Sequence, residues 1–265
     1  MYQIEPPLSP KETLPTMYDL PSEDPEEPGL PDEFHDFQPE ILRQTFRPTN
    51  YPYDRVFVGS DLNLYYDVRH TSWYKRPDWF AVVGVDRFYE KRDLRMSYVI
   101  WQEGVNPFIV VELLSPGTEK EDLGKTLRDV NKPPTKWEVY EQILRIPYYV
   151  VFDRLTNNLR IFQLQGGHYE ELTLTEPRLW IPEINLGLGL WYGSYQGIER
   201  HWLRWFYSKN NWVLFAEEEL EQEKQRAEAE KQRAEAERQR AEAEKQRADR
   251  LAAQLRALGV ELDEE

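Results

Sequence analysis

Phe108-Ile109-Val110-Val111-Glu112-Leu113-Leu114-Ser115-Pro116 is the stretch whose reading decides the fold. Phe108 and Val110 fall on one side of an extended chain, and Ile109, Val111 and Leu113 on the other. A strand apolar on both sides belongs in the middle of a sheet covered on both faces. Glu112 breaks the pattern. A carboxylate in that setting is costly unless it is paired, protonated or bound to a cation. Ser115-Pro116-Gly117 ends the run.

Upstream, Pro77-Asp78-Trp79-Phe80-Ala81-Val82-Val83 reads as a second buried strand. Proline suits its first position, because the missing N–H is not yet needed by the ladder. Asp78 and Glu112 are 34 residues apart, a separation that lets two adjacent strands present both acids at one edge of a sheet. Downstream, Thr118-x-x-Glu121 and Thr135-x-x-Glu138 are capping boxes, and Pro133-Pro134 stand between them. They predict a short helix, a break, and a second helix to about Arg145, with Trp137, Tyr140, Ile143 and Leu144 as its buried stripe. Lys136 is then the first helical residue. The positive end of the helix dipole opposes a cation there, so the position calls for a use.

The flanks are read around this centre. Residues 34–46 have helical spacing up to Pro48, with His35 near the inner edge as a structural polar contact. Val56–Val58 and Leu62–Asp67 are expected to form a hairpin about Gly59-Ser60-Asp61. Glu103 is expected to cover a sheet edge. Tyr148–Asp153 and Leu159–Leu164 read as another hairpin, followed by an alternating strand over 169–174. The Trp- and Gly-rich stretch 179–215 is expected to pack as extended pieces and a short helix, its aromatics being core.

Both ends differ from this middle. Residues 1–32 are rich in Pro and acid, and are expected to be an extended or disordered lead-in. From Glu217 the composition changes, and Glu-Lys-Gln-Arg-Ala-Glu-Ala or a near copy of it recurs every seven residues from Glu223 through Glu230, Glu237 and Glu244. Ala227, Ala234, Ala241, Ala248 and Leu255 share one row, while the companion row is Glu230, Glu237, Glu244, Leu251 and Leu258. A two-stranded coil wants apolar residues in both rows, and Glu–Arg contacts three or four residues apart support a solitary helix. The expectation is a long exposed helix over 217–265 that pairs weakly, if at all, through its Leu-containing end.

The chain has no cysteine and 4 His, which removes disulfides and thiolate metal sites and leaves oxygen ligands for a hard cation. Its net charge is -15, but residues 1–40 hold eleven acids against one lysine, so -10 of it falls in those first forty residues. No apolar segment approaches the ~20 residues needed to span a bilayer, and a cytoplasmic location with no membrane partner is expected.

Lys75-Arg76-Pro77-Asp78 at a strand start, Val111-Glu112-Leu113-Leu114-Ser115-Pro116-Gly117-Thr118, and Lys136-x-x-x-Tyr140 before Ile146–Asp153 together resemble the Uma2 family of restriction-endonuclease-like proteins. The resemblance covers roughly residues 34–165 and places the chain in the PD-(D/E)XK nuclease superfamily. It implies an α/β (α+β) domain over 33–216, with a mixed central sheet flanked by helices. It also implies a Mg²⁺-dependent endonuclease acting on double-stranded DNA, with Mn²⁺ as a substitute. Carried over by position, Asp78 and Glu112 are the metal-binding acids. The superfamily's lysine stands two residues after the second acid, where this chain has Leu114, so the resemblance makes Lys136 the replacement and Lys125 the alternative. Residues 123–135 look inserted. The competing reading is a catalytically inactive interaction or regulatory protein on the same fold, using the C-terminal helix to bind a partner. RNA as substrate and a homodimer remain open.

Overall fold

In the computed structural model, which describes residues 32–115, 119–126, 132–208 and 211–257, the first regular element is helix α1 (Phe34–Thr45). All but Asp32 of the expected lead-in, the Thr118 capping box and Leu258 lie outside the described residues. Strands β1 (Val56–Gly59), β2 (Leu64–Tyr65), β3 (Tyr74–Lys75), β4 (Trp79–Val83) and β5 (Tyr98–Val99) follow, then the short helix α2 (Ile100–Glu103) and strand β6 (Ile109–Leu113). Helix α3 (Glu119–Asp122) and helix α4 (Lys136–Glu138, continued by a π-helical turn over Val139–Ile143) carry the chain across to β7 (Tyr148–Asp153). Next are β8 (Asn158–Gln165), β9 (His168–Glu171), β10 (Arg178–Ile181), β11 (Leu186–Tyr195), β12 (Ile198–Tyr207) and β13 (Asn211–Trp212). Helix α5 (Ala216–Ala257) ends the series. The described residues divide into two compact units, with the boundary between Val213 and Leu214.

Six strands form the central sheet in the order β1-β4-β6-β7-β8-β9. β6 and β7 are parallel and the other neighbours antiparallel, so the sheet is mixed. A parallel pair needs a crossover, and the connection carrying α3 and α4 supplies it. All five residues of β6 are buried, as the two-sided apolar pattern requires. The β4–β6 register pairs Trp79 with Val111 and Phe80 with Val110. Continued by one step, it sets Asp78 opposite Glu112.

The second sheet, β10-β11-β12-β13, is wholly antiparallel. Helix α1 joins it to the central sheet. Gln38 donates to the Leu203 carbonyl and accepts from the Leu203 N–H, both at 2.8 Å, which satisfies the two backbone groups of a buried β12 residue. On the same helix Phe34 stacks on Trp202 at 5.6 Å and leans on Phe152 of β7 at 6.0 Å. Phe46, Trp79 and Trp205 close the layer, with ring centroids 4.9–5.8 Å apart.

One local expectation is corrected. Val56–Val58 does not form a hairpin with the following run. β1 pairs with β4, while Leu64–Tyr65 joins a small sheet in the order β3-β2-β5. The long-range partner wins because β4 offers four buried apolar residues, and because Gly59 leaves room for the ring of its partner Phe80, whose Cε1 would lie 2.4 Å from an added Cβ. The extended pieces expected over 179–215 form a regular sheet, and among the described residues the 3-10 segment Pro182–Ile184 is a helical turn within it. Its alternation is hidden in sequence because Gly187 stands opposite Phe206, whose ring fills the space a side chain would take. The Tyr148–Asp153 hairpin forms as expected, and β9 adds to it over 168–171.

Helix α5 runs for 42 residues, about 63 Å at the standard rise, with nearly every described side chain exposed. Its support is local. Gln225 donates to Glu221 at 3.0 Å and Gln232 to Glu228 at 3.3 Å, each one turn away.

Candidate active site

Asp78 and Glu112 meet at one edge of the central sheet, and the backbone fixes both. Asp78 precedes β4, and its Oδ2 accepts the Leu113 N–H at 2.6 Å. Glu112 answers across the strands, its Oε2 taking the Asp78 N–H at 3.4 Å. Each acid is therefore held by the main chain of the other strand. Glu112 is completely buried, and the Tyr140 hydroxyl donates to its Oε1 at 2.8 Å.

Lys136 comes from the other side of the crossover. Thr135 caps α4 through the full capping box with Glu138, which aims the first helical residue at the sheet edge. The Lys136 ammonium donates to Glu112 Oε2 at 3.1 Å and to Asp122 Oδ1 at 2.8 Å. The π-helical turn that follows holds Tyr140 in reach of Glu112, and such turns often occur at functional sites. Asp122, on α3, is 1% exposed, which makes it a third buried acid beside one ammonium. Next to it Glu121 accepts the Lys136 N–H at 3.3 Å and pairs with Lys75 at 3.2 Å.

His35 supports the edge from α1. Its Nε2 lies 3.1 Å from the Leu113 carbonyl and its Nδ1 2.9 Å from Asp32 Oδ1. Two acceptors facing one imidazole favour the doubly protonated ring. Burial pulls the His35 pKa down, but the Asp32 hydrogen bond and the Asp78 charge outweigh it and leave the pKa above 6.5.

The electrostatics follow from enclosure. Burial pushes the Glu112 carboxyl well above its ordinary range against the pull of Lys136. Burial also raises Asp78, with Lys136 and then His35 opposing. Burial alone would lower Lys136, yet the charges of Glu112, Asp122 and Asp78 hold it well above its usual value. Three carboxylates share one ammonium in this volume. Such a surplus is relieved by protons or by a further cation.

A family model described as Uma2, "Putative restriction endonuclease", matches residues 10–194, well over half of the chain. The chain belongs to the Uma2 family. Comparison with curated proteins returned no match. The Uma2 match spans β1 through β10 and most of β11, so the Asp78–Glu112 edge and the crossover carrying Lys136 lie inside it.

Set against the sequence reading, the structure brings Asp78, Glu112 and Lys136 together. Lys125 is exposed and turns to Glu119 at 3.8 Å, away from this cluster. Leu114 is half-buried against the core and supplies no cation. Glu103 is tied to Arg95 at 2.7 Å. Asp122 and the hydroxyl of Tyr140 were missed. Leu123, which packs against the core beside Asp122, was the one signal that this part of the acidic run turns inward.

Among the described residues no group of three or more His, Asp or Glu side chains is gathered closely enough to cage a metal ion. No described helix is long and apolar enough to cross a membrane.

Proposed function

We propose that this Uma2 domain is a divalent-cation-dependent endonuclease that hydrolyses phosphodiester bonds of double-stranded DNA. In this reading Asp78 and Glu112 hold Mg²⁺, or Mn²⁺ in its place. The observation that carries it is the cross-strand coupling of Asp78 to Glu112 with the Lys136 ammonium 3.1 Å from Glu112. A bound cation would supply Lewis-acid charge for the phosphate and for the attacking water. Asp78 is steadied through Oδ2 by the Leu113 N–H, and Glu112 through Oε1 by Tyr140, so both acids are oriented in advance. Lys136 offers the positive charge that stabilises negative charge growing on the phosphate oxygens.

The test is incubation of the full chain with supercoiled plasmid, linear duplex and RNA in Mg²⁺ or Mn²⁺, beside Asp78→Ala and Glu112→Ala. The expected result is cation-dependent DNA cleavage lost in both variants, by ~100-fold or more. Cleavage that survives both substitutions overturns the reading.

A second reading has its own observation. Helix α5 is exposed along its length on a chain of net charge -15, which suits an arm for a protein partner or a second copy better than a grip on DNA. A folded wild type that cleaves nothing in either cation, yet self-associates or captures a partner only when α5 is present, would favour this regulatory role.

A further inference from the structure

We infer that Asp122 is a positioning residue that anchors the Lys136 ammonium beside Glu112; the inference deepens the nuclease reading and rests on it. A lysine two residues after Glu112 would be placed by the end of β6, but Leu114 stands there. Lys136 arrives instead from α4, on a side chain with four rotatable carbons that needs a fixed counter-charge to stay in one place. Asp122 provides it. Its contact to the ammonium, 2.8 Å, is shorter than that of Glu112, 3.1 Å.

The anchor is itself anchored. The Tyr149 hydroxyl of β7 donates to the Asp122 carbonyl at 2.8 Å, and Glu121 ties the same turn to Lys75 and to the Lys136 N–H. Asp122 is thus held against the sheet through the backbone, independently of Glu112. The second carboxylate oxygen, Oδ2, is buried without a hydrogen-bond partner among the described residues. A buried acceptor left open costs stability, and it gives the ammonium somewhere to turn. When Glu112 is engaged by a cation its hold on Lys136 weakens, and both oxygens of Asp122 can then keep the ammonium at the site. Asp122 touches neither of the two proposed cation ligands through a hydrogen bond; it acts through Lys136.

Two readouts on the full chain test this. The first is limited labelling with acetic anhydride and peptide mass spectrometry, with Lys136 compared to the exposed Lys231 of α5 as an internal standard. Asp122→Asn is expected to raise Lys136 labelling several-fold over wild type, and Asp122→Glu to restore most of the protection. The second is cleavage of duplex DNA in Mg²⁺. Asp122→Asn is expected to lower kcat by ~10-fold or more with KM little changed, because the reacting geometry loosens while substrate binding stays. Unchanged labelling in folded Asp122→Asn, or an unchanged kcat in an active enzyme, overturns the inference. If wild type cleaves nothing, the nuclease reading fails, while the labelling result still decides whether Asp122 holds Lys136. If Asp122→Asn does not fold, as judged by circular dichroism, Asp122→Glu decides: protection like wild type supports the anchor, and labelling like that of Lys231 removes it.

Discussion

Around Glu112, three carboxylates and one ammonium share a volume nearly closed to water: Glu112 is 0% exposed, Asp122 1% and the Lys136 side chain 16%. Along α5 charge is denser in sequence, with Glu and Arg in each of the four heptads from Glu223 to Arg250, yet almost all of it is exposed. In water an ion pair gains little, since solvent already satisfies both partners. Inside, each charge needs its partner, and removing one strands the others. One region therefore spends fold stability on a charge arrangement, and the other builds a helix from charges that are individually dispensable. The first pattern is what a chemical site requires; the second makes a long, soluble helix.

The largest expected break of this contrast is Lys136→Met. Removing the ammonium leaves Glu112, Asp122 and Asp78 enclosed together, and a loss of ~3–5 kcal/mol in unfolding free energy is expected at neutral pH. Part of it should return on acidification, because protonated carboxyls no longer repel. Adding Glu112→Gln to Lys136→Met should restore stability, as fewer buried charges then lack a partner. Denaturant melts of the single and double variants check this. Lys231→Met on α5, the matched exposed change, should leave the melt of the globular unit unmoved.

A middle-sized effect sits on His35. Its folded pKa lies above the unfolded value of 6.5, so protonation favours the folded state. Its contribution is complete below 6.5 and is lost as pH rises through the folded pKa. Glu112 runs the same way in a lower window: its raised pKa makes stability fall as pH climbs from the ordinary carboxyl range toward the folded value. His35→Gln should therefore be less stable than wild type in mildly acidic buffer, with the gap narrowing above neutrality. A gap that stays constant from pH 6 to pH 8 would show that the ring is held neutral.

What could be read from the sequence divides along the same line. Glu112 stood out because it was the one acid in a two-sided apolar run, and Lys136 because its capping box placed it where a helix dipole disfavours a cation. Local patterns carry that kind of information. The register that sets Asp78 opposite Glu112 is long-range, and so is the choice of β4 over Leu62–Asp67 as the partner of β1. Neither is written in a short window. Asp122 lay in Glu119-Lys120-Glu121-Asp122, where side-chain type alone does not say which acid turns inward. The mixed α+β architecture was implied by the family resemblance and the long helix by composition and period, whereas the regular second sheet was masked by glycines whose space is filled from the opposite strand.

The smallest effect is expected at the boundary between the two kinds of charge. If α5 is sustained by contacts within its own turns, deleting residues 217–265 should leave the rest of the chain melting cooperatively at nearly the wild-type midpoint. The far-UV helical signal should drop by the contribution of about 40 residues. Ala234→Gly, in the middle of α5, sharpens the point: a loss of ~1 kcal/mol of helix propensity should reduce helical signal locally without shifting the globular transition. The full chain and the truncation, compared by circular dichroism and tryptophan fluorescence, separate the two signals, because all 9 Trp precede residue 217. A truncation that loses its cooperative fluorescence transition would mean that the repeat helix is part of the fold, and that its exposed charges are held in place by more than their own neighbours.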